Sequence, residues 1–277
     1  MTSEQSGKLN LVLCWHMHQP WYRESQEGDY RLPWVYLHAL KDYVDMAAHL
    51  EAHPAMRCVV NFTPVLLEQL DDYAEQFRGH LATGSRFAEP LLNLIAGVEP
   101  IPADPEGRAE LVRACRRAHK PMMIDVYPAF RGLFELVMTP DGAHVDEQRL
   151  AYLNDQFFLD LLSWYHLAWL GHSLKRQPAV QRLFEEQQHF DRAARQSLLE
   201  IMSEAFDNLL GRYRQLAKRG QIELSMTPYG HPIVPLLIDV GAMHGALPEA
   251  EAPKGGNFPG GLERARWHMQ EGLRVFK

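Results

Sequence analysis

The chain is poor in cysteine, with Cys14, Cys58 and Cys115 the three among 277 residues, an odd count without CxxC spacing. A disulfide framework is not expected, and Cys14 and Cys58 lie in apolar runs where a reduced thiol packs as a small hydrophobe. Long hydrophobic runs are missing too: no stretch approaches the ~20 apolar residues of a membrane span. The opening MTSEQSGKLN lacks a charged segment followed by an apolar one and a cleavage site, so the expected location is cytoplasmic, with no membrane partner. An excess of positive charge is also absent. Lys+Arg of 28 against Asp+Glu of 35 gives a net charge of -7, which argues against nucleic acid as a partner and suits a neutral substrate. There is no GxGxxG or GxxxxGK[ST] phosphate loop and no G-x-S-x-G elbow. Repeats and low-complexity segments are likewise lacking. With 46% hydrophobic and 23% charged residues, what remains is an ordinary folded protein, long enough for one large barrel or two average domains.

Strand-like runs are few. LNLVLCW (9–15) and MRCVVNF (56–62) are continuous apolar segments of the kind that fit parallel strands covered on both faces. Between them Val35, Leu37, Leu40, Val44, Met46, Ala47 and Leu50 recur at helical spacing, and His53-Pro54 ends that helix. Strand, helix, strand predicts a right-handed βαβ unit with function at the strands' C-terminal ends. Thr63 and Pro64 read as N-cap and first residue of a helix. From about 85 to 190 the pattern is helical, too long for an ordinary crossover, and reads as an insertion. The longest helix covers 190–219 with Gly220 just past its end. IELSMT then gives a third strand, PKGGNFPGG a loop, and LERARWHMQEGLRVFK an amphipathic helix to the last residue. Three strands do not close a barrel, which commonly needs about eight. The chain is therefore expected to be a portion of a longer polypeptide.

Two constellations could carry chemistry. In His16-x-His18-Gln19-Pro20-Trp21 the histidines sit at i and i+2 and face the same way on an extended chain. Such a pair is half of a metal site, or with Trp21 and Tyr22 a sugar platform, or a hydrogen-bonded pair inside a core. Glu223 lies within the third strand, pointing either to solvent or into a polar centre, with His231 eight residues on. Asp71-Asp72, Glu185-Glu186 and Glu263-Arg264 read as solvated helix surfaces. Trp164, Tyr165 and Trp169 read as core, and His119, His166 and His172 show no metal spacing.

With HMHQPWY and GQIELSMTPYGHPIVPLL in hand, the sequence resembles the N-terminal part of glycoside hydrolase family 57, closest to its α-amylase/α-mannosidase-like branch. PWVYLHALKDYVDMA, NFTPVLLEQLDDY and NDQFFLDLLSWYHLAWLG agree, so the resemblance runs from about residue 9 to 277. It implies an α/β fold: residues 1–277 as the N-terminal portion of one incomplete (β/α)7-type parallel barrel domain, with the helical insertion at about 85–190. It implies a retaining α-glucan hydrolase or glucanotransferase acting on malto-oligosaccharide, with no metal and no cofactor. His16, His18, Gln19, Trp21, Glu223 and His231 carry over as substrate-binding residues. The family's nucleophile Glu and acid/base Asp would lie beyond Lys277, so this chain is expected to be inactive by itself, with the missing C-terminal part of the enzyme as its partner. Two alternatives stay open. One is a metal-dependent hydrolase of the deacetylase or amidohydrolase kind, using His16, His18 and a third ligand such as His231. The other is a non-catalytic carbohydrate-binding module.

Overall fold

A computed structural model describes residues 11–25 and 27–277 as an α/β protein with a three-stranded parallel sheet and many helices. The strands are β1 (Cys14–Met17), β2 (Cys58–Phe62) and β3 (Ile222–Met226), ordered β1-β2-β3. The helices are α1 (Trp34–His38), α2 (Val44–Ala52), α3 (Pro64–Thr83), α4 (Pro90–Ala96), α5 (Pro105–Cys115), α6 (Pro128–Val137), α7 (Glu147–Leu150), α8 (Asp155–Trp169), α9 (His172–Lys175), α10 (Pro178–Glu186), α11 (Arg192–Lys218), α12 (Val234–Ile238) and α13 (Gly261–Phe276). Among the described residues no helix is long and apolar enough to cross a membrane. The chain divides into two compact units. The first comprises Met1–Trp21, Leu50–Gln69 and Tyr213–Lys277; the second comprises Tyr22–His49 and Leu70–Arg212.

The first unit holds the sheet. Its register sets His16 against Asn61 and Asn61 against Ser225, so with the two-residue alternation of a strand these three share one face. Cys14, Val59 and Glu223 lie on that face one layer earlier. The opposite face carries the apolar burial: Met17, Val60, Phe62 and Ile222 are all buried, and the Phe62 ring meets Tyr213 edge-on at 5.2 Å. The chain turns before β2, where the Met56 N–H donates to the His53 carbonyl at 2.9 Å. Buried Gln221 fastens that turn by donating from its amide to the carbonyls of Leu50 and His53.

The turn also explains why β1 is shorter than its apolar run. Cys14 pairs with Val59, so Leu11 and Val12 would need partners at Met56 and Arg57, which the turn keeps out of β2. Both are exposed, at 78% and 76%, instead of buried as a strand over 9–15 predicts; residues 9 and 10 lie outside the described residues. Thr63 precedes α3 as read, but its hydroxyl donates to the Met17 carbonyl at 3.4 Å. A residue expected to cap a helix thus ties β1 to the start of α3. Gly220 has φ 69°, the left-handed conformation that ends a long helix at no steric cost.

The second unit is mainly helical. Its centre is α8, in which Phe158, Leu161, Trp164 and Tyr165 are fully buried and His166 is enclosed with them. This helix is buried nearly all round, its polar Asp160, Ser163 and His166 included, because α1, α4, α5 and α6 surround it, and Asn154 caps it by accepting from the Phe157 N–H at 3.2 Å. The predicted helix after the first strand forms as α1, a π-helical turn at Ala39–Tyr43 and α2. In that turn the Leu40 carbonyl accepts from the Gly171 N–H at 2.9 Å, a partner the wider turn makes reachable. Asp72 departs from its expected role as a solvated charge. It accepts from the Tyr30 hydroxyl at 2.7 Å and from Arg23 at 3.1 Å, because the antiparallel bridge between Arg23 and Tyr30 presents both to it.

Candidate functional site: three imidazoles at the strand ends

β1 delivers His16 on its polar face and, one residue past its end, His18. The loop that follows is held by buried Gln69, whose amide donates to the Pro20 carbonyl at 3.0 Å. Gln19 and half-exposed Trp21 flank that anchor. From the far side of the sheet comes the loop after β3. There the Thr227 N–H donates to the Phe62 carbonyl, the Val65 N–H to the Tyr229 carbonyl, and the Tyr229 N–H to the His268 carbonyl. The Tyr229 hydroxyl donates to Glu68 at 2.5 Å. Five backbone positions of this loop and its neighbours are thereby fixed, and α13 comes close enough that Gly272 lies against the Tyr229 backbone. The loop closes with the His231 N–H on the Pro228 carbonyl at 2.9 Å, and His231 itself has φ 54°. A non-glycine residue in this left-handed region carries strain that the surrounding bonds must hold.

These two loops bring three imidazoles together. Ring centroids are 4.7 Å apart for His18 and His231, which stack, 4.9 Å for His16 and His231, and 5.8 Å for His16 and His18. One nitrogen from each ring lies within 4.8 Å of the other two. Burial, then the neighbouring His231 and His16, hold the His18 pKa below its ordinary value of 6.5. It is therefore neutral at pH 7, with one ring nitrogen donating and one accepting.

A hydrogen-bond relay runs sideways along the sheet from this cluster. His16 Nδ1 meets Asn61 Oδ1 at 2.7 Å, and Asn61 Nδ2 donates to Ser225 Oγ at 2.9 Å. Asn61 and Ser225 were not among the residues singled out from sequence. The available signal was a polar residue in the last layer of an otherwise apolar strand, the same signal that marks His16. Of the six predicted residues, His16, His18 and His231 converge; Gln19 and Trp21 follow in the anchored loop. Glu223 shares their face of the sheet but stands one layer earlier and is solvent-exposed. Of the six strand residues on that face, Glu223 is the single carboxylate.

None of these residues lines a separate cavity of about 820 Å³ in the second unit, walled by Lys41, Asp45, His49, His119 and Lys175 among others. Burial there lowers the Lys175 pKa to about 8.

No curated protein and no solved structure matches the chain. A family model does, that of glycosyl hydrolase family 57, over residues 12–271. The match takes in both loops that build the imidazole cluster, so the strand-end histidines lie within the region the family defines. A family of this kind implies glycoside hydrolase or glucanotransferase activity on a carbohydrate substrate. On that match, the chain belongs to glycosyl hydrolase family 57.

Proposed function

We propose that this chain forms the sugar-holding part of a retaining α-glucan-active site on an incomplete (β/α)7-type barrel, and that it does not turn substrate over alone. The observation that carries the reading is the convergence of His16, His18 and His231 at the strand ends, with Gln19 and Trp21 following His18 in the same loop. Imidazole rings and an amide offer the mixed donors and acceptors that glucosyl hydroxyls need, while the Trp21 ring offers a face for the apolar side of the pyranose. Retaining chemistry also requires two carboxyl groups about 5–5.5 Å apart. The polar face of the three strands carries one carboxylate, Glu223, and on this reading the nucleophile and the acid/base are not among the strand residues of that face.

Calorimetric titration of the purified chain with malto-oligosaccharide, in the presence of a chelator, tests the binding. The expected result is saturable binding that weakens about tenfold in His18→Ala, the loss of roughly 1.5 kcal/mol of hydrogen bonding. A reducing-end assay on the same sample should stay flat. Release of reducing sugar would overturn the claim of inactivity, and binding indifferent to His18→Ala would overturn the site.

A further inference from the structure

We propose that the cavity in the second unit binds a small organic molecule by a phosphate monoester head, with Lys175 and Lys41 as the charged anchors. The cavity measures about 820 Å³, within the range of pockets that enclose whole small molecules. Every residue of its wall lies in the second unit. Two π-helical turns occur among the described residues, Ala39–Tyr43 and Lys120–Ile124. Both reach this one wall, the first with Lys41 and Asp42, the second with Met122 and Met123. Turns of this kind are rare and collect at functional sites. A third side is the corner between α8 and α9. It is fixed to the first π-helical turn by the Gly171 N–H on the Leu40 carbonyl at 2.9 Å. The approach is so close that a Cβ on Gly171 would stand 2.6 Å from the Lys41 carbonyl oxygen and from Asp45 Oδ1, which a residue without a side chain permits. The wall is held in shape by the chain's own bonds.

The charges on that wall decide the ligand. Its two carboxylates are both engaged. Asp42 meets His38 Nδ1 at 2.6 Å and accepts from Lys41 at 2.7 Å, and Asp45 accepts from the His172 N–H, the Ser173 N–H and the Ser173 hydroxyl. Lys175 has no such counter-charge: its ammonium donates to the Ala168 carbonyl at 2.9 Å and lies 5.5 Å from the Tyr127 ring centroid, with no carboxylate bonded to it among the described residues. Burial, then the charge of Lys41, lower its pKa to about 8 against the pull of Asp45. At pH 7 two ammonium groups that repel each other therefore share the wall. The rings of His49, His119 and His172, exposed on the same wall, have no hydrogen-bond partner among the described residues. A dianion held by both lysines removes their repulsion, and the three outer oxygens of a phosphoryl group accept from ammonium and imidazole donors together. A carboxylate brings less charge and fewer acceptors. Met46, Met122, Met123 and Leu170 make up an apolar part of the wall, soft side chains that adapt to an organic body. A bare phosphate ion would leave that surface and most of the volume unfilled.

This goes beyond the carbohydrate reading and does not depend on it. The test is calorimetric titration of the full chain with inorganic phosphate, phenyl phosphate and benzoate. Phenyl phosphate should bind saturably, about tenfold more tightly than inorganic phosphate because its ring is buried against the methionines, and benzoate should bind at least about tenfold more weakly than phenyl phosphate. Lys175→Gln should weaken phenyl phosphate binding about 10–100-fold, and Lys41→Gln about tenfold. Arg78→Gln, which removes an exposed cation of the second unit outside this wall, should leave affinity unchanged. Circular dichroism checks the fold of each variant. If Lys175→Gln does not fold, Lys41→Gln, at a side chain 40% exposed, carries the test. Absence of saturable phenyl phosphate binding would overturn the site, and full affinity in Lys41→Gln or in folded Lys175→Gln would overturn the anchors. Benzoate binding as tightly as phenyl phosphate would overturn the phosphoryl head, and equal affinity for inorganic phosphate would overturn the organic body.

Discussion

Glu89 gives the second unit a stability that should fall as pH rises, and Glu89→Gln should remove that dependence. Its carboxyl is 2% exposed, accepts from the Leu91 N–H at the start of α4 at 3.3 Å, and accepts from the Tyr73 hydroxyl at 3.2 Å. Burial, only partly opposed by those two hydrogen bonds and by Arg117, pushes its pKa from 4.5 up to about 8. Below about pH 4.5 both folded and unfolded chains hold the proton. Between there and pH 8 the folded state keeps it and the unfolded state releases it, so the unfolded state binds fewer protons and stability declines with pH at about 1.4 kcal/mol per unit. By pH 7 the accumulated loss is about 3 kcal/mol. Glutamine is nearly isosteric, retains an oxygen for Leu91 and never ionises. Urea unfolding of both proteins at about pH 5.5, 6.5 and 7.5, followed by tryptophan fluorescence, isolates the effect, because every other titrating group is shared. The stability difference in favour of Glu89→Gln should grow by more than 1 kcal/mol per step. A difference that stays constant across the three pH values would refute the reasoning.

Three further outcomes follow from the packing. In Gly272→Ala the new Cβ meets the Tyr229 backbone nitrogen and Met226 Cε at 3.2 Å, so overpacking should cost about 1–3 kcal/mol in urea unfolding and displace the His231 loop, lowering ligand affinity as well. Asp45 accepts from the His172 N–H, the Ser173 N–H and the Ser173 hydroxyl; Asp45→Ala leaves these without an acceptor and should cost about 1–3 kcal/mol by the same assay. Leu161, buried at the centre of α8, should cost about 2–5 kcal/mol as Leu161→Ala, and an unchanged midpoint would contradict its place in the core.

Much of the local structure was legible because it rests on near-neighbour chemistry. Pro64 opening α3, Gly220 closing α11 and the strand IELSMT all depend on a few adjacent residues, and all form where the pattern indicates. The end of β1 was misread because strand extent depends on what pairs with it. Leu11 and Val12 look buried by composition, yet the turn at His53–Met56, over forty residues away, removes their partners. Thr63 is a similar case: its hydroxyl is taken by the Met17 carbonyl, a tertiary contact that overrides the capping preference. The clustering of His231 with His16 and His18 required the parallel register of β1, β2 and β3, which no local spacing reveals. Asn61 and Ser225 escaped for the same reason, each being an unremarkable polar residue until the register aligns them with His16.

The order β1-β2-β3 has a consequence for synthesis. β2 and β3 are neighbours in the sheet but about 160 residues apart in the chain. At roughly 5–20 residues per second, about 10–30 s separate their emergence from the ribosome. Throughout that interval the edge of β2 that awaits β3 has no partner, and a bare edge invites pairing with another chain. All residues of the second unit are made before Ile222, so that unit can complete its core while the sheet waits. The imidazole cluster thus assembles only after β3 and the loop carrying His231 have emerged, and until then Val59 and Asn61 stand beside only β1.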